Sequence, residues 1–107
     1  MAAFEWLGNI LSRIESYPRR GHALYVEGGH PLDVKTPALV LARDVYSDDL
    51  PALAQQHGLR QTLSVQQVMD IVENARAQRP DVGPAELVQA FNFYWERDAF
   101  IDFNVVP

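Results

Sequence analysis

Phe4, Leu7, Leu11 and Ile14, with Ile10 beside them, recur at helical spacing and predict an amphipathic helix over residues 2–16. Pro18 stops it. Trp6 projects to the edge of that stripe, where partial exposure is expected. Gly21 to Glu27 then reads as a short strand bounded by glycines, and Gly28-Gly29-His30-Pro31 as a turn. The continuous apolar run Ala38-Leu39-Val40-Leu41-Ala42 predicts a strand buried on both faces and therefore central in a sheet. After a polar loop at 44–49, Asp48 or Asp49 is placed to cap a short helix with Pro51 in its first turn, ending at Gly58. Leu59 to Leu63 is either an extended connection or a short strand.

The second half carries stronger punctuation. Ser64 and Gln67 form a capping box ahead of Val65, Val68, Met69, Val72 and Ala75, which share one helix face as far as Arg79. Pro84 opens a last helix with Leu87, Val88, Phe91, Tyr94 and Trp95 along one face. Phe93 points the other way, among Glu86, Gln89 and Glu96. The alternation in Ala99-Phe100-Ile101-Asp102-Phe103 predicts a final strand. The expected fold is α+β, a small, mainly antiparallel sheet of about three strands packed by helices, in the order α-β-β-α-α-α-β. With no internal repeat and no linker, residues 1–107 are expected to form a single domain.

Composition narrows the function classes. A chain of 107 residues with 48% hydrophobic and 21% charged residues can bury a core without disulfides or metal. It has no cysteine, which removes a disulfide framework, thiolate metal ligands and a cysteine nucleophile. No stretch reaches the roughly 18 apolar residues of a membrane span, and the residues after Met1 lack the basic-then-apolar pattern of a signal peptide. A cytoplasmic location and no membrane partner are expected.

The net charge of −5 is uneven. Residues 1–43 hold four acids and five basic residues, a net of +1, whereas residues 44–107 hold ten acids against four arginines, a net of −6. An acidic half disfavours direct nucleic-acid binding and suits a basic protein partner. It equally keeps a protein soluble.

Enzyme chemistry finds little to stand on. His22, His30 and His57 have no helical metal spacing, no HExxH or HxH pattern occurs, and no cofactor is expected. Ser12, Ser16, Ser47 and Ser64 lie outside any nucleophile elbow, and Ser64 reads as a helix cap. Gly28-Gly29 is too short to cradle a phosphate and turns a hairpin instead. The acids cluster at Asp44, Asp48 and Asp49 and again at Glu96, Asp98 and Asp102. Such acids serve as caps, as solvated surface or as charges that pair with a partner. Phe93 either packs under another element or stands out as an interface anchor.

Ala90-Phe91-Asn92-Phe93-Tyr94-Trp95-Glu96-Arg97-Asp98-Ala99-Phe100 resembles the C-terminal signature of a family of small bacterial domains. Val68-Met69-Asp70-Ile71-Val72-Glu73-Asn74-Ala75, with its approach His57-Gly58-Leu59, is similar in the same way, and the likeness covers residues 21–103. Some such domains resemble the immunity proteins of contact-dependent growth inhibition and related polymorphic toxin systems. The resemblance implies a non-enzymatic cytoplasmic protein whose partner is a cognate toxin C-terminal domain, many such toxins being nucleases, neutralised at its active site or beside it. Occupation of a basic cleft by an acidic patch predicts strong salt dependence, and steric blocking predicts less. The expected contacts are Asp44, Tyr46, Asp48 and Asp49 in the central loop and Phe93, Glu96 and Asp98 near the end of the last helix, with Arg19 and Arg20 as a smaller basic site. The rivals are a general interaction or regulatory subunit and a small acid–base enzyme in which histidine and carboxylates converge.

Overall fold

The computed structural model describes residues 5–28, 32–42 and 52–103. Along the chain these form β1 (Glu5–Trp6), α1 (Leu7–Ser12), a 3-10 turn (Ile14–Ser16), β2 (His22–Val26), β3 (Pro37–Ala42), α2 (Ala52–His57), β4 (Arg60–Ser64), α3 (Val65–Gln78) and α4 (Pro84–Arg97). The fold is α+β, with an antiparallel sheet ordered β1-β3-β2-β4.

Alternation along β2 sorts the core into two. Leu24 and Val26 face the larger cluster, where they meet Leu7, Ile10 and Leu11 of α1, Val68, Ile71 and Val72 of α3, and Leu87 and Phe91 of α4. Ala23 and Tyr25 face the opposite side, against Ala54 of α2, Leu59, Leu39 and Leu41. Side chains at successive strand positions point to opposite faces, so one short strand serves both layers. The pairing runs from His22 opposite Ala42 to Val26 opposite Ala38, while β4 joins on the other side with a register shift between Ala23 and Tyr25. Within that irregularity the Thr62 hydroxyl donates to the Leu24 carbonyl at 2.8 Å.

Several expectations are corrected. The helix expected over 2–16 is a two-residue strand, a six-residue helix and a 3-10 turn among the described residues. Its apolar stripe is real, because Leu7, Ile10, Leu11 and Ile14 are all buried, but Glu5 and Trp6 pair with Ala38 and Pro37 of β3 instead of winding into the helix. The amides of Leu7 and Gly8 then donate to the carbonyls of Thr36 and Val34. The run 38–42 lies inside the sheet, yet burial on both faces falls to β2. In β3 only Ala38 is fully buried, because β1 covers only its first two residues. The segment Leu59 to Leu63, ambiguous in sequence, supplies most of β4 (Arg60–Ser64), and with β1 added the described sheet has four strands where about three were expected.

The expected final strand at 99–103 is absent. Its alternation is nevertheless used, since Ile101 and Phe103 are buried while Asp102 is exposed. A side chain replaces the neighbouring strand. The Gln78 amide donates to the Ile101 carbonyl at 2.7 Å and accepts from the Phe103 N–H at 3.0 Å. Arg79 lies over the Phe103 ring, 4.8 Å from its centroid. Asn92 clamps a second irregular segment in the same manner: its Oδ1 accepts from the Leu32 N–H at 3.0 Å and its Nδ2 donates to the Leu32 carbonyl at 2.8 Å.

The helix boundaries follow their caps. At α3 the Ser64 hydroxyl accepts from the Gln67 N–H and the Gln67 side chain accepts from the Ser64 N–H, as the spacing predicts. Pro84 opens α4, and Glu86 reaches back to accept from the Gly83 N–H at 3.3 Å. No helix among the described residues is long and apolar enough to cross a membrane.

Candidate protein-binding site

Asp98 ends α4 in the left-handed region, with φ 54° and its N–H donating to the Tyr94 carbonyl at 2.8 Å. That reversal folds the following residues back on the helix, so that Phe100 lies against Tyr94 with ring centroids 5.5 Å apart and planes tilted by 41°. Phe100 remains 46% exposed, one of two large apolar side chains so exposed among the described residues. Glu96, Arg97, Asp98 and Ala99 around it are exposed as well. The end of α4 therefore presents an exposed aromatic ring two residues after an exposed acid, Asp98.

Other aromatics in this part of the chain carry arginines of the protein itself. Arg97 lies 5.8 Å from the Phe93 centroid, Arg60 lies 5.8 Å from that of Trp95, and Arg79 covers Phe103. Among the described residues no arginine lies over the Tyr94–Phe100 pair. Arg60 also donates from Nε to the Gly28 carbonyl at 2.6 Å, and its Nη2 is buried without a hydrogen-bond partner among the described residues.

The sequence-based candidates separate into three groups. Asp44, Tyr46, Asp48 and Asp49 lie outside the described residues, as do Pro51 and His30. Phe93 takes the first of its two alternatives, half-buried and packed against the larger core, and is not an exposed anchor. Its own Arg97 occupies the ring face that a partner would need. Asp98 lies in the turn that sets Phe100 against Tyr94, two residues assigned from sequence to a strand and to the core, whereas Glu96, two residues after Tyr94, is exposed on another side of α4. Arg19 and Arg20 are exposed, and Arg19 reaches Glu73 at 4.0 Å.

An acid at Asp98 is costly for the local fold. It places negative charge at the negative end of a helix and a β-carbon in a conformation that favours glycine. Asp98→Gly is therefore expected to stabilise the protein by about 0.5–1 kcal/mol. A rise in the chemical-denaturation midpoint checks this, and an unchanged or lowered midpoint contradicts it.

A shallow cleft of about 320 Å³ lies between Leu32, Asp33 and Val34 on one side and Ala85, Val88, Gln89 and Asn92 of α4 on the other. Its Asn92 is already engaged in the Leu32 clamp. His22, whose Nδ1 lies 2.8 Å from the Arg20 carbonyl, and His57 belong to no cluster of three or more potential metal ligands among the described residues.

The shifted titratable groups tie elements together rather than converge. Glu15 is held below the ordinary carboxylate value of 4.5 by a backbone N–H and then by Arg76 of α3. Glu86 is held below it by Arg79 and then by the Gly83 N–H. Burial, followed by the hydrogen bond to Glu5, pushes the Tyr17 hydroxyl above 10.0. Around pH 4.5 the unfolded chain binds more protons at Glu15 and Glu86 than the folded chain, so stability is expected to rise with pH there and to fall as pH drops through the folded values. The Tyr17 contribution has the opposite sense, present below pH 10.0 and lost on further alkalinisation. Denaturation midpoints measured across the acid range should show a shallower slope for the Glu15→Gln/Glu86→Gln double variant. An identical slope would mean that these ties are not the source.

The chain belongs to the family described as a domain of unknown function, DUF7716, whose profile matches residues 4–103. No curated protein and no solved structure matches it.

Proposed function

We propose that this protein binds and neutralises a basic protein partner in the cytoplasm, as an immunity protein does for its cognate toxin domain. The supporting observation is the end of α4, where a ring that is 46% exposed follows the exposed Asp98 by two residues, with Glu96 exposed on the last turn of the helix, in a half of the chain with a net charge of −6. A partly exposed aromatic contributes contact area at little entropic cost, and the flanking acids steer and orient a cationic surface. Nuclease toxins present such a surface, because their clefts are built for phosphate. An acidic patch that enters the cleft excludes the substrate by occupying its charge sites.

The test is co-expression with the protein domain encoded immediately upstream. A stoichiometric complex that suppresses that domain's toxicity is the expected result. Association should weaken as salt is raised, since the pairing charges are exposed and screened within ~8–10 Å at physiological ionic strength. Failure of two folded proteins to associate sinks the proposal. A complex that leaves toxicity intact transfers the chain to the general interaction subunits.

A further inference from the structure

We infer that the Tyr94–Phe100 pair is the receptor for an arginine side chain of the partner. The inference rests on the protein-binding reading above and specifies the chemistry of the contact. Within this chain, guanidinium groups already lie over Phe93, Trp95 and Phe103, at 5.8, 5.8 and 4.8 Å from the ring centroids. Phe100 has its neighbour Tyr94 on one side, remains 46% exposed and carries no such cation among the described residues.

The surroundings select among occupants. Asp98, exposed in the turn that carries Phe100 back to Tyr94, repels an anion such as a phosphate or a partner carboxylate. A purely apolar anchor seated on Phe100 would draw that carboxylate out of water without a partner for it, which is unfavourable. A guanidinium satisfies both features, because its plane stacks on a ring while its N–H fork meets a carboxylate. A lysine ammonium makes the charge contact but neither stacks nor pairs bidentately. The left-handed turn at Asp98 joins the two parts of the site, since it carries an acid and sets Phe100 back against Tyr94.

Two blocked tripeptides, acetyl-Gly-Arg-Gly-amide and acetyl-Gly-Lys-Gly-amide, serve as probes in an NMR titration of the full chain. The arginine peptide is expected to shift the signals of Tyr94, Asp98 and Phe100 and to bind about 2–5-fold more tightly than the lysine peptide. Phe100→Ala should abolish these shifts with an unchanged thermal midpoint, and Phe100→Trp should retain them. Equal binding of both peptides, shifts that survive Phe100→Ala, or shifts mapping to another face would overturn the inference. A toxin-domain complex insensitive to Phe100→Ala also overturns it while leaving the neutralising reading intact. Selective arginine binding without any toxin-domain complex supports the arginine receptor and removes only that reading.

Discussion

Replacing Asn92 with alanine is expected to destabilise the protein by about 2–3 kcal/mol, because it strips both hydrogen-bond partners from a backbone that cannot regain them cheaply. Leu32 is 5% exposed and anchors the described part of the β2–β3 connection to the larger core. Its N–H and carbonyl are matched to one amide at 3.0 and 2.8 Å. Water can reach part of this region, which keeps the expected cost below that of two fully buried orphan groups. Asn92→Asp separates the two bonds. An ionised carboxylate still accepts from the Leu32 N–H but faces the Leu32 carbonyl with a second acceptor, so the folded-state pKa at position 92 should rise. Protonation restores a donor. The deficit of Asn92→Asp relative to the parent should therefore shrink on acidification, opposite in sign to the acid destabilisation expected from Glu15 and Glu86. Urea unfolding of both variants at neutral and acid pH checks this, and a pH-independent deficit for Asn92→Asp would show that the amide acts only through its volume.

The two amide clamps also mark where the sequence stops being readable. Elements set by local chemistry were legible. The Ser64–Gln67 box starts α3, Pro84 starts α4, and Gly58, with φ 67°, follows α2. Elements set by partners far along the chain were not. β1 exists because Glu5 and Trp6 find Ala38 and Pro37 more than thirty residues away, and nothing within residues 2–16 encodes that pairing. The alternation in 99–103 predicts a strand and coincides with the burial of Ile101 and Phe103, but alternation reports burial and not what satisfies the backbone. Here Gln78 does so in place of a strand. A trace of this was present in the sequence, because Gln78 continues the Ile71–Ala75 stripe and Asn92 follows Val88 by one helical turn. An amide on the apolar side of a helix needs a polar partner, and an irregular backbone segment is the commonest source of one.

The candidate site divides along the same line. Glu96 and Asp98 were identified from charge and position, and both are exposed. Phe93 was selected because it leaves the apolar stripe, yet a helix gripped by neighbours on more than one side buries residues off the stripe too, and Phe93 packs against the larger core. Phe100 was missed because its exposure depends on the left-handed turn at Asp98, a conformation seldom adopted by residues other than glycine. A non-glycine residue in that region has no reliable mark in a single sequence.

Gly8→Ala is expected to cost about 1–2 kcal/mol, although alanine is the better helix former. A β-carbon at position 8 would lie 2.5 Å from Val34 Cγ1 and 3.2 Å from Pro84 Cβ, so α1 approaches the 32–36 segment and the start of α4 only because hydrogen stands there. Gly8 also donates its N–H to the Val34 carbonyl at 3.0 Å, and Leu7 donates its N–H to the Thr36 carbonyl at 2.9 Å. Moving α1 outward to admit the methyl therefore strains two hydrogen bonds as well as the packing. Valine is stiff at χ1, so Val34 cannot rotate its methyl away without cost. Helix propensity returns up to ~1 kcal/mol, which is why the net loss stays below the full overpacking range. Removing the opposing methyl should relieve the clash. Val34→Ala is expected to destabilise alone, and Gly8→Ala/Val34→Ala to be less destabilised than the sum of the two single variants. Such a coupling in a double-mutant cycle identifies the Val34 contact as the cause. Additive losses would instead place the constraint at Pro84, whose ring is fixed and cannot yield.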